Sequence, residues 1–252
     1  MDCSIRKTVY LKLSRFLPLA HHECNCCKAR VKNWQPWGSK SGIYEKTKII
    51  GGGYRECMCP ICGSIDRHRW LEYVIENYTD LYTGENRVLH FAPEKSVKEK
   101  LRKNNKCWYI SGDIEPQKDD HYMDILDIPF RDGFFDYIIC NHVVCYIEDE
   151  KKCYDELRRC LKDHGILIIS FPIRMDVDTY SKYGLSTEES EKEFGTAGNC
   201  RIYGKDYKEH LFTMGFEVTH TYRPGDLLSP QDISKYGFLS DDIIIFAKGI
   251  RT

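Results

Sequence analysis

The stretch Phe135-Asp136-Tyr137-Ile138-Ile139-Cys140-Asn141 decides how the rest of the chain is read. It is short, apolar through its centre and rich in β-branched and aromatic residues, so it reads as a buried strand. Downstream, Glu150 to Leu161 turns Tyr154, Leu157 and Leu161 to one face at helical spacing, and His164-Gly165 stops that helix. Ile166 to Pro172 makes the next strand. Upstream, Arg87 to Ala92 is a first strand, Ser96-Val97-Lys98-Glu99 is a capping box opening a helix through Leu101, and Cys107 to Asp113 is a second strand. His121 to Ile125 forms a short third. A helix near Lys205–Met214 and strands at Phe216–Tyr222 and Ile243–Lys248 complete the series. Strands alternating with helices imply an α/β fold with a doubly wound, mostly parallel sheet. Ligands of such sheets sit at the carboxyl ends of the strands, near the point where strand order reverses.

The 252 residues, 42% hydrophobic and 30% charged, suffice for one such domain and a small appended module, and they exclude global disorder. A net charge of −1 argues against a nucleic-acid coat protein. The balance hides an asymmetry: residues 1–72 carry 13 Lys/Arg against 6 Asp/Glu, and the remainder is net acidic. Asp66 is a candidate cap for a helix whose inner face is Leu71, Val74, Ile75 and Tyr78. That helix ends near Thr83-Gly84, which divides the chain into residues 1–83 and 84–252. Ile5, Val9, Leu13, Phe16 and Leu17 recur at helical spacing among basic residues, a basic amphipathic helix expected to dock on the N-terminal module. The longest uncharged apolar stretch, Gly165 to Ile173, is too short to span a membrane, and the start at Met1 lacks a long apolar run. A soluble, cytoplasmic protein is expected.

Of 13 cysteines, Cys107, Cys140, Cys145, Cys153 and Cys160 fall in ordinary strands or helices and read as small buried hydrophobes. Six more crowd into two knots, Cys24/Cys26/Cys27 and Cys57/Cys59/Cys62, which in a reducing compartment read as metal ligands. Each knot contains a CxxC turn that sets two sulfurs on one side of a tight loop, and Gly63 supplies the positive φ the second turn needs. Cys24, Cys27, Cys59 and Cys62 are the expected ligands of a closed, structural zinc site. His21, His22 and His68 are the alternative ligands, and Cys26 and Cys57 are ambiguous. The same thiolates suit an iron–sulfur cluster, but no CxxxCxxC triplet is present. Trp34, Trp37, Ile43, Tyr44, Ile49 and Ile50 supply an intervening hairpin, with Gly51-Gly52-Gly53 as a flexible return.

Three features stand at the strand ends. The first strand runs into Phe91-Ala92-Pro93-Glu94. Asp113, at the tip of the second, is placed to accept hydrogen bonds from the two ribose hydroxyls of a nucleoside, with Ile114 beside it. Asp124 next to Ile125 is placed to accept from an adenine amino group while Ile125 packs on the base. Asn141-His142 closes the fourth strand.

Met123-Asp124-Ile125, followed by Ile128-Pro129-Phe130-Arg131-Asp132-Gly133-Phe134 and the strand to Val143, resembles the middle of class I S-adenosylmethionine-dependent methyltransferases of the type 11 kind. Tyr154-Asp155-Glu156-Leu157-Arg158-Arg159-Cys160-Leu161-Lys162 is similar to the helix that follows it there. Cys59-Pro60-Ile61-Cys62-Gly63-Ser64, with Arg67-His68-Arg69 and Leu89-His90-Phe91-Ala92-Pro93-Glu94, resembles a subgroup bearing an N-terminal zinc-binding module. The resemblance implies a seven-stranded Rossmann-like sheet with its last strand antiparallel, a zinc-ribbon-like module, and S-adenosylmethionine as cofactor. It implies cofactor contacts from His90, Phe91, Ala92, Glu94, Asp113, Ile114, Asp124, Ile125 and Asn141. Ala92 and Glu94 stand where the family's first motif has glycines, and His90 stands at its acidic position.

Methyl transfer from a sulfonium is an in-line displacement, so the protein aligns the reactants and excludes water. His142 is the candidate base, with a positioning role as its alternative. The segment from Asp176 to Arg201 lies where this family carries substrate-covering insertions. Its run Glu188–Glu193 reads as a solvated helix face, and Arg201 is a candidate contact for an anionic acceptor. The acceptor is expected to be a small molecule or a glycan, because the acidic C-terminal part repels a polyanion. RNA methylation through the basic module, with Trp34, Trp37 and Tyr44 stacking on bases, is the alternative. A third reading is a non-catalytic protein that binds zinc and cofactor.

Overall fold

The computed structural model describes residues 21–116 and 120–250; the basic helix expected over Ile5–Leu17 lies outside them. The chain opens with two small hairpins. β1 (His22–Cys24) pairs antiparallel with β2 (Ala29–Val31) across the first CxxC turn, and β3 (Gln35–Trp37) pairs antiparallel with β4 (Arg55–Met58). Between them lies one short helical turn, α1 (Ile43–Lys46), so the expected hairpin carries a helix in its loop.

α2 (Asp66–Tyr78) leads into the sheet. Ile65, not Asp66, takes its N-cap position. Asp66 sits in the first turn and accepts from Arg55 Nε and Nη2 at 2.5 and 2.8 Å, so a charge partner outcompetes the capping role. The helix stops at Tyr78, before the expected Thr83-Gly84. Then come β5 (Arg87–Phe91), α3 (Lys95–Leu101), β6 (Trp108–Asp113), β7 (His121–Tyr122) and β8 (Phe135–Asn141). α4 (Glu150–Cys160), β9 (Leu161–Ser170), β10 (Tyr180–Ser181), α5 (Thr187–Phe194), β11 (Arg201–Ile202) and α6 (Tyr207–Thr213) follow. β12 (Phe216–Tyr222), α7 (Pro224–Leu227), α8 (Pro230–Tyr236) and β13 (Ile244–Gly249) complete the described chain.

Seven strands form the main sheet in the order β12-β13-β9-β8-β5-β6-β7. β5 pairs in parallel with β6 and β8, and β13 alone runs antiparallel, between β9 and β12. This is the expected doubly wound, mostly parallel Rossmann-like sheet, and its strand order reverses at β5. Apolar side chains cover both faces: Leu89, Ile138, Leu167 and Ile245 on one, Val88, Ile139, Ile168 and Ile244 on the other. Such double coverage is why the central strands read as continuous apolar runs.

Three local expectations need correction. The capping box at Ser96 does not form: α3 begins at Lys95, Glu94 is its N-cap residue, and the cap makes no side-chain hydrogen bond. The third strand is only His121–Tyr122, because Asp124 instead closes a tight turn by accepting from Leu126 N at 2.8 Å. β9 begins at Leu161, where an irregularity in its pairing with β8 absorbs the residues that read as a helix stop.

The cysteine-rich hairpins dock firmly on the sheet. Arg69 is fully buried and donates to four carbonyls, those of Cys57 (2.8 Å), Ser64 (2.9 Å), Tyr236 (2.8 Å) and Gly237 (2.9 Å). Its guanidinium lies 3.9 Å from the Trp34 ring centre. One side chain thus ties the module to the connection between β12 and β13. Ile50 and Ile173 exchange backbone hydrogen bonds of 2.9 and 3.2 Å, which pins the glycine-rich segment beside the end of β9. No helix among the described residues is long and apolar enough to cross a membrane.

Candidate active site

A cavity of about 850 Å³ opens at the carboxyl ends of β5 and β8, where the strand order reverses. That place follows from the topology, since the strands on either side of the reversal diverge and leave a crevice. Its floor is the turn after β5, with Ala92 and Glu94, and the turn after β8, with Asn141 and His142. Ala92 and His142 both hold left-handed backbone, at φ 44° and 53°. Side-chain-bearing residues rarely adopt this conformation, and it persists where the surroundings enforce it, often at functional sites. Ala92 N donates to Gly112 O (3.0 Å) and His142 N to Ser170 O (2.8 Å), so each turn is fixed by the neighbouring strand.

Glu94 points back toward the sheet. His90 Nε2 donates to its Oε2 at 2.7 Å, Asn141 Nδ2 donates to its Oε1 at 3.4 Å, and Ser170 Oγ fixes Asn141 by donating to Oδ1 at 3.0 Å. Tyr109 Oη lies within hydrogen-bond distance of the other nitrogen of His90, at 3.2 Å. Burial alone works against ionising Glu94, but the hydrogen bond and charge of His90 outweigh it and hold the carboxyl below its ordinary range. The floor therefore carries an ionised carboxylate paired with His90.

The roof comes from the cysteine-rich module. Gly51 (φ 82°) lies so close to His142 that an added Cβ would sit 2.9 Å from the imidazole Cε1. Arg67 Nη1 donates to Gly51 O at 3.1 Å, and Arg55 Nη1 donates to Gly52 O and Gly53 O at 2.5 and 2.9 Å. Gly51-Gly52-Gly53 is thus a clamped wall and not the flexible return expected of it. Burial, reinforced by the charges of Arg67, His68 and Arg55, pushes His142 well below the ordinary imidazole range, so its ring is neutral at physiological pH. Burial likewise pushes His68 down to about 4.

Of the other residues expected to touch a cofactor, Phe91 is buried beneath the turn. Asp113 stands at the half-exposed tip of β6, with Oδ1 accepting from Glu115 N at 3.0 Å, and Ile114 beside it is 55% exposed. Asp124 and Ile125 follow β7, with Ile125 buried. These five lie outside the lining of the cavity. Arg201 corrects the sequence reading. It is fully buried, donates from Nη1 to the carbonyls of Val144 and Ile147, and pairs with Glu150 at 3.1 Å, so it braces the insertion internally instead of meeting an acceptor.

Cys24, Cys27, Cys59 and Cys62 bring their sulfurs within 4.8 Å of one another, with 3.7 Å for Cys24–Cys62 and 3.8 Å for Cys27–Cys59. Tetrahedral zinc–thiolate bonds of about 2.3 Å put sulfurs roughly 3.8 Å apart, so the donor set fits zinc. Each CxxC turn closes with a backbone bond, Lys28 N to Cys24 O at 2.6 Å and Gly63 N to Cys59 O at 2.9 Å, and both Lys28 and Gly63 are left-handed. No histidine joins the cluster. Cys57 is buried apart from it, and Cys26 lines the cavity together with Cys27 and Cys62.

The opposite wall comes partly from the expected Asp176–Arg201 insertion, but its individual lining residues were not singled out. Tyr44, Tyr146, Thr196 and Asn199 line the same cavity, and Tyr44 and Thr196 meet through their hydroxyls at 3.4 Å. Three glycines in a row after Ile49-Ile50 were the available signal of close backbone approach. Nothing local marks Asn199.

Residues 82–169 match a family described as a methyltransferase domain. An uncharacterised protein of Methanocaldococcus jannaschii is 30% identical over 91 residues, 36% of this chain and 42% of that relative, so the match spans less than half the relative's length. Among solved structures, the cyclase SpnF superposes with a TM-score of 0.49 at 14% identity, covering 73% of this chain and 82% of that one. The trans-methyltransferase CalH, solved in complex with SAH, gives 0.42 at 16% identity over 65% and 51%.

Proposed function

We propose that this protein is an S-adenosylmethionine-dependent methyltransferase whose acceptor is a small molecule or a glycan. The observation that carries the reading is the enclosed cavity at the point of strand reversal, floored by an ionised Glu94 and a neutral His142. The matched methyltransferase-domain family supports it.

The donor set suits the cofactor's charges. Glu94, held ionised by His90, complements the ammonium of a methionine moiety, and Phe91 and Ala92 give backbone approach there. Asp113 is the acceptor for ribose hydroxyls, with Ile114, Asp124 and Ile125 around the adenine. When bound, the cofactor supplies an electrophilic methyl group on a sulfonium. His142 then orients the acceptor atom or takes its proton, and its depressed basicity keeps the imidazole unprotonated and able to accept. The roof of Gly51–Gly53 excludes water from the reacting atoms. Zinc at Cys24, Cys27, Cys59 and Cys62 is structural, because four protein ligands leave no open position.

Incubation with radiolabelled S-adenosylmethionine and either total RNA or glycan and metabolite extracts tests the reading. Label in the glycan or metabolite fraction is expected, and site-specific label in RNA would overturn the acceptor class.

A further inference from the structure

The cavity has unmet hydrogen-bonding capacity of one particular kind. Asn199 is only 2% exposed, and neither its Oδ1 nor its Nδ2 meets a hydrogen-bonding group among the described residues. Buried polar atoms in native proteins are almost always partnered, so two such atoms on one amide in a ligand-sized cavity point to a ligand. Two of the charged groups, by contrast, are engaged. Arg67 donates to Gly51 O and lies 5.1 Å over the Trp37 ring, and Glu94 accepts from His90 and Asn141. Lys95 and Glu99 on the rim are exposed and opposite in sign. What the cavity lacks is a neutral partner offering both a donor and an acceptor.

We propose that Asn199 binds the methyl acceptor, and that the acceptor is a carbohydrate presenting a vicinal diol. One hydroxyl donating to the amide oxygen and its neighbour accepting from the amide nitrogen complete both groups together. Tyr44 and Tyr146, in the same lining, add aromatic surface suited to the apolar C–H side of a sugar. A phosphate or carboxylate group offers only acceptors, so it would leave the Asn199 amide oxygen unpartnered. The proposal rests on the methyltransferase reading of this cavity.

The test uses glycan and polar-metabolite extracts before and after periodate oxidation, which cleaves vicinal diols, with labelled S-adenosylmethionine. Calorimetry with S-adenosylhomocysteine runs alongside. Transfer to untreated extract is expected, falling at least about tenfold after periodate. Asn199→Leu is expected to lower transfer by at least about tenfold, since an analogue of the amide that cannot hydrogen-bond gives up both contacts. Its S-adenosylhomocysteine affinity should stay within about twofold, and its Tm should be equal or higher, because the substitution removes an unpaired buried amide. Asn199→Ser, with a smaller change of volume and polarity, should show the same split if the leucine variant folds poorly. Labelling that survives periodate, or no labelling by protein that binds S-adenosylhomocysteine, overturns the carbohydrate assignment. Lower Tm and weaker S-adenosylhomocysteine binding in both variants would make Asn199 a structural residue. Absence of S-adenosylhomocysteine binding by the wild type would instead fail the methyltransferase reading, and this proposal with it.

Discussion

The two sides of the strand reversal are built in opposite ways. On the β6 side, Asp113, Ile114, Asp124 and Ile125 come from one short stretch of chain and stand at open strand tips. On the β8 side, the cavity is walled by pieces distant in sequence: Gly51–Gly53, Arg67-His68, His142 and Thr196 to Asn199. The first side is what any such sheet presents, while the second exists only because a cysteine-rich module and an insertion close over it. The difference locates the specific part of the function in the module and the insertion.

The largest test of this contrast is loss of the metal. The protein is expected to carry about one zinc per chain, and Cys59→Ser or chelation should remove on the order of several kcal/mol of stability, since structural zinc contributes folding free energy directly. Elemental analysis and thermal denaturation check it; no metal, or a serine variant of full stability, would dissolve the distinction between the two sides. Arg69→Met comes next. It removes a donor from four carbonyls, of which Ser64 O keeps another in Cys59 N, and a loss of about 3–5 kcal/mol is expected in urea denaturation. A loss below about 1 kcal/mol would mean that the module docks by other contacts.

Gly51→Ala probes the roof with one methyl. At φ 82° and 2.9 Å from the His142 ring, it should cost about 1–3 kcal/mol and lower the rate of transfer, while leaving S-adenosylhomocysteine affinity unchanged. Equal effects on both would show that the two sides are not separable.

An effect confined to acid is the pH sensitivity of stability. His68, at about 4 when folded, lies below the ordinary unfolded value of about 6.5, so the unfolded chain takes up its proton first. Its contribution to stability is complete above about pH 6.5 and falls away as pH drops toward 4, by up to about 1.4 kcal/mol per pH unit. His68→Asn should flatten that slope by about one proton in denaturation curves recorded across this window.

The same contrast explains what the sequence disclosed. Strands such as Phe135–Asn141 were legible because burial on both faces writes a continuous apolar run. The four clustered cysteines were legible because CxxC turns are local, and so was the antiparallel last strand implied by family resemblance. The walls were not. Arg201 looked available for an acceptor because a charged residue after an insertion is usually exposed, yet Glu150, two carbonyls and Tyr183 enclose it. Ser96 carried the spacing of a capping box, but Glu94 took the cap position while its side chain turned to His90. In each case a partner distant in sequence, or a competing contact, decided the side chain's role.

Titration calorimetry with S-adenosylhomocysteine on the zinc-loaded protein decides whether the strand reversal binds S-adenosylmethionine. One site per chain is expected, with an affinity that Asp113→Ala weakens by about 1.5–3 kcal/mol, roughly 10- to 150-fold, the scale for lost hydrogen bonds to a charged partner. No heat of binding from folded wild-type protein, or an Asp113→Ala variant that binds as tightly as the wild type, would contradict this expectation.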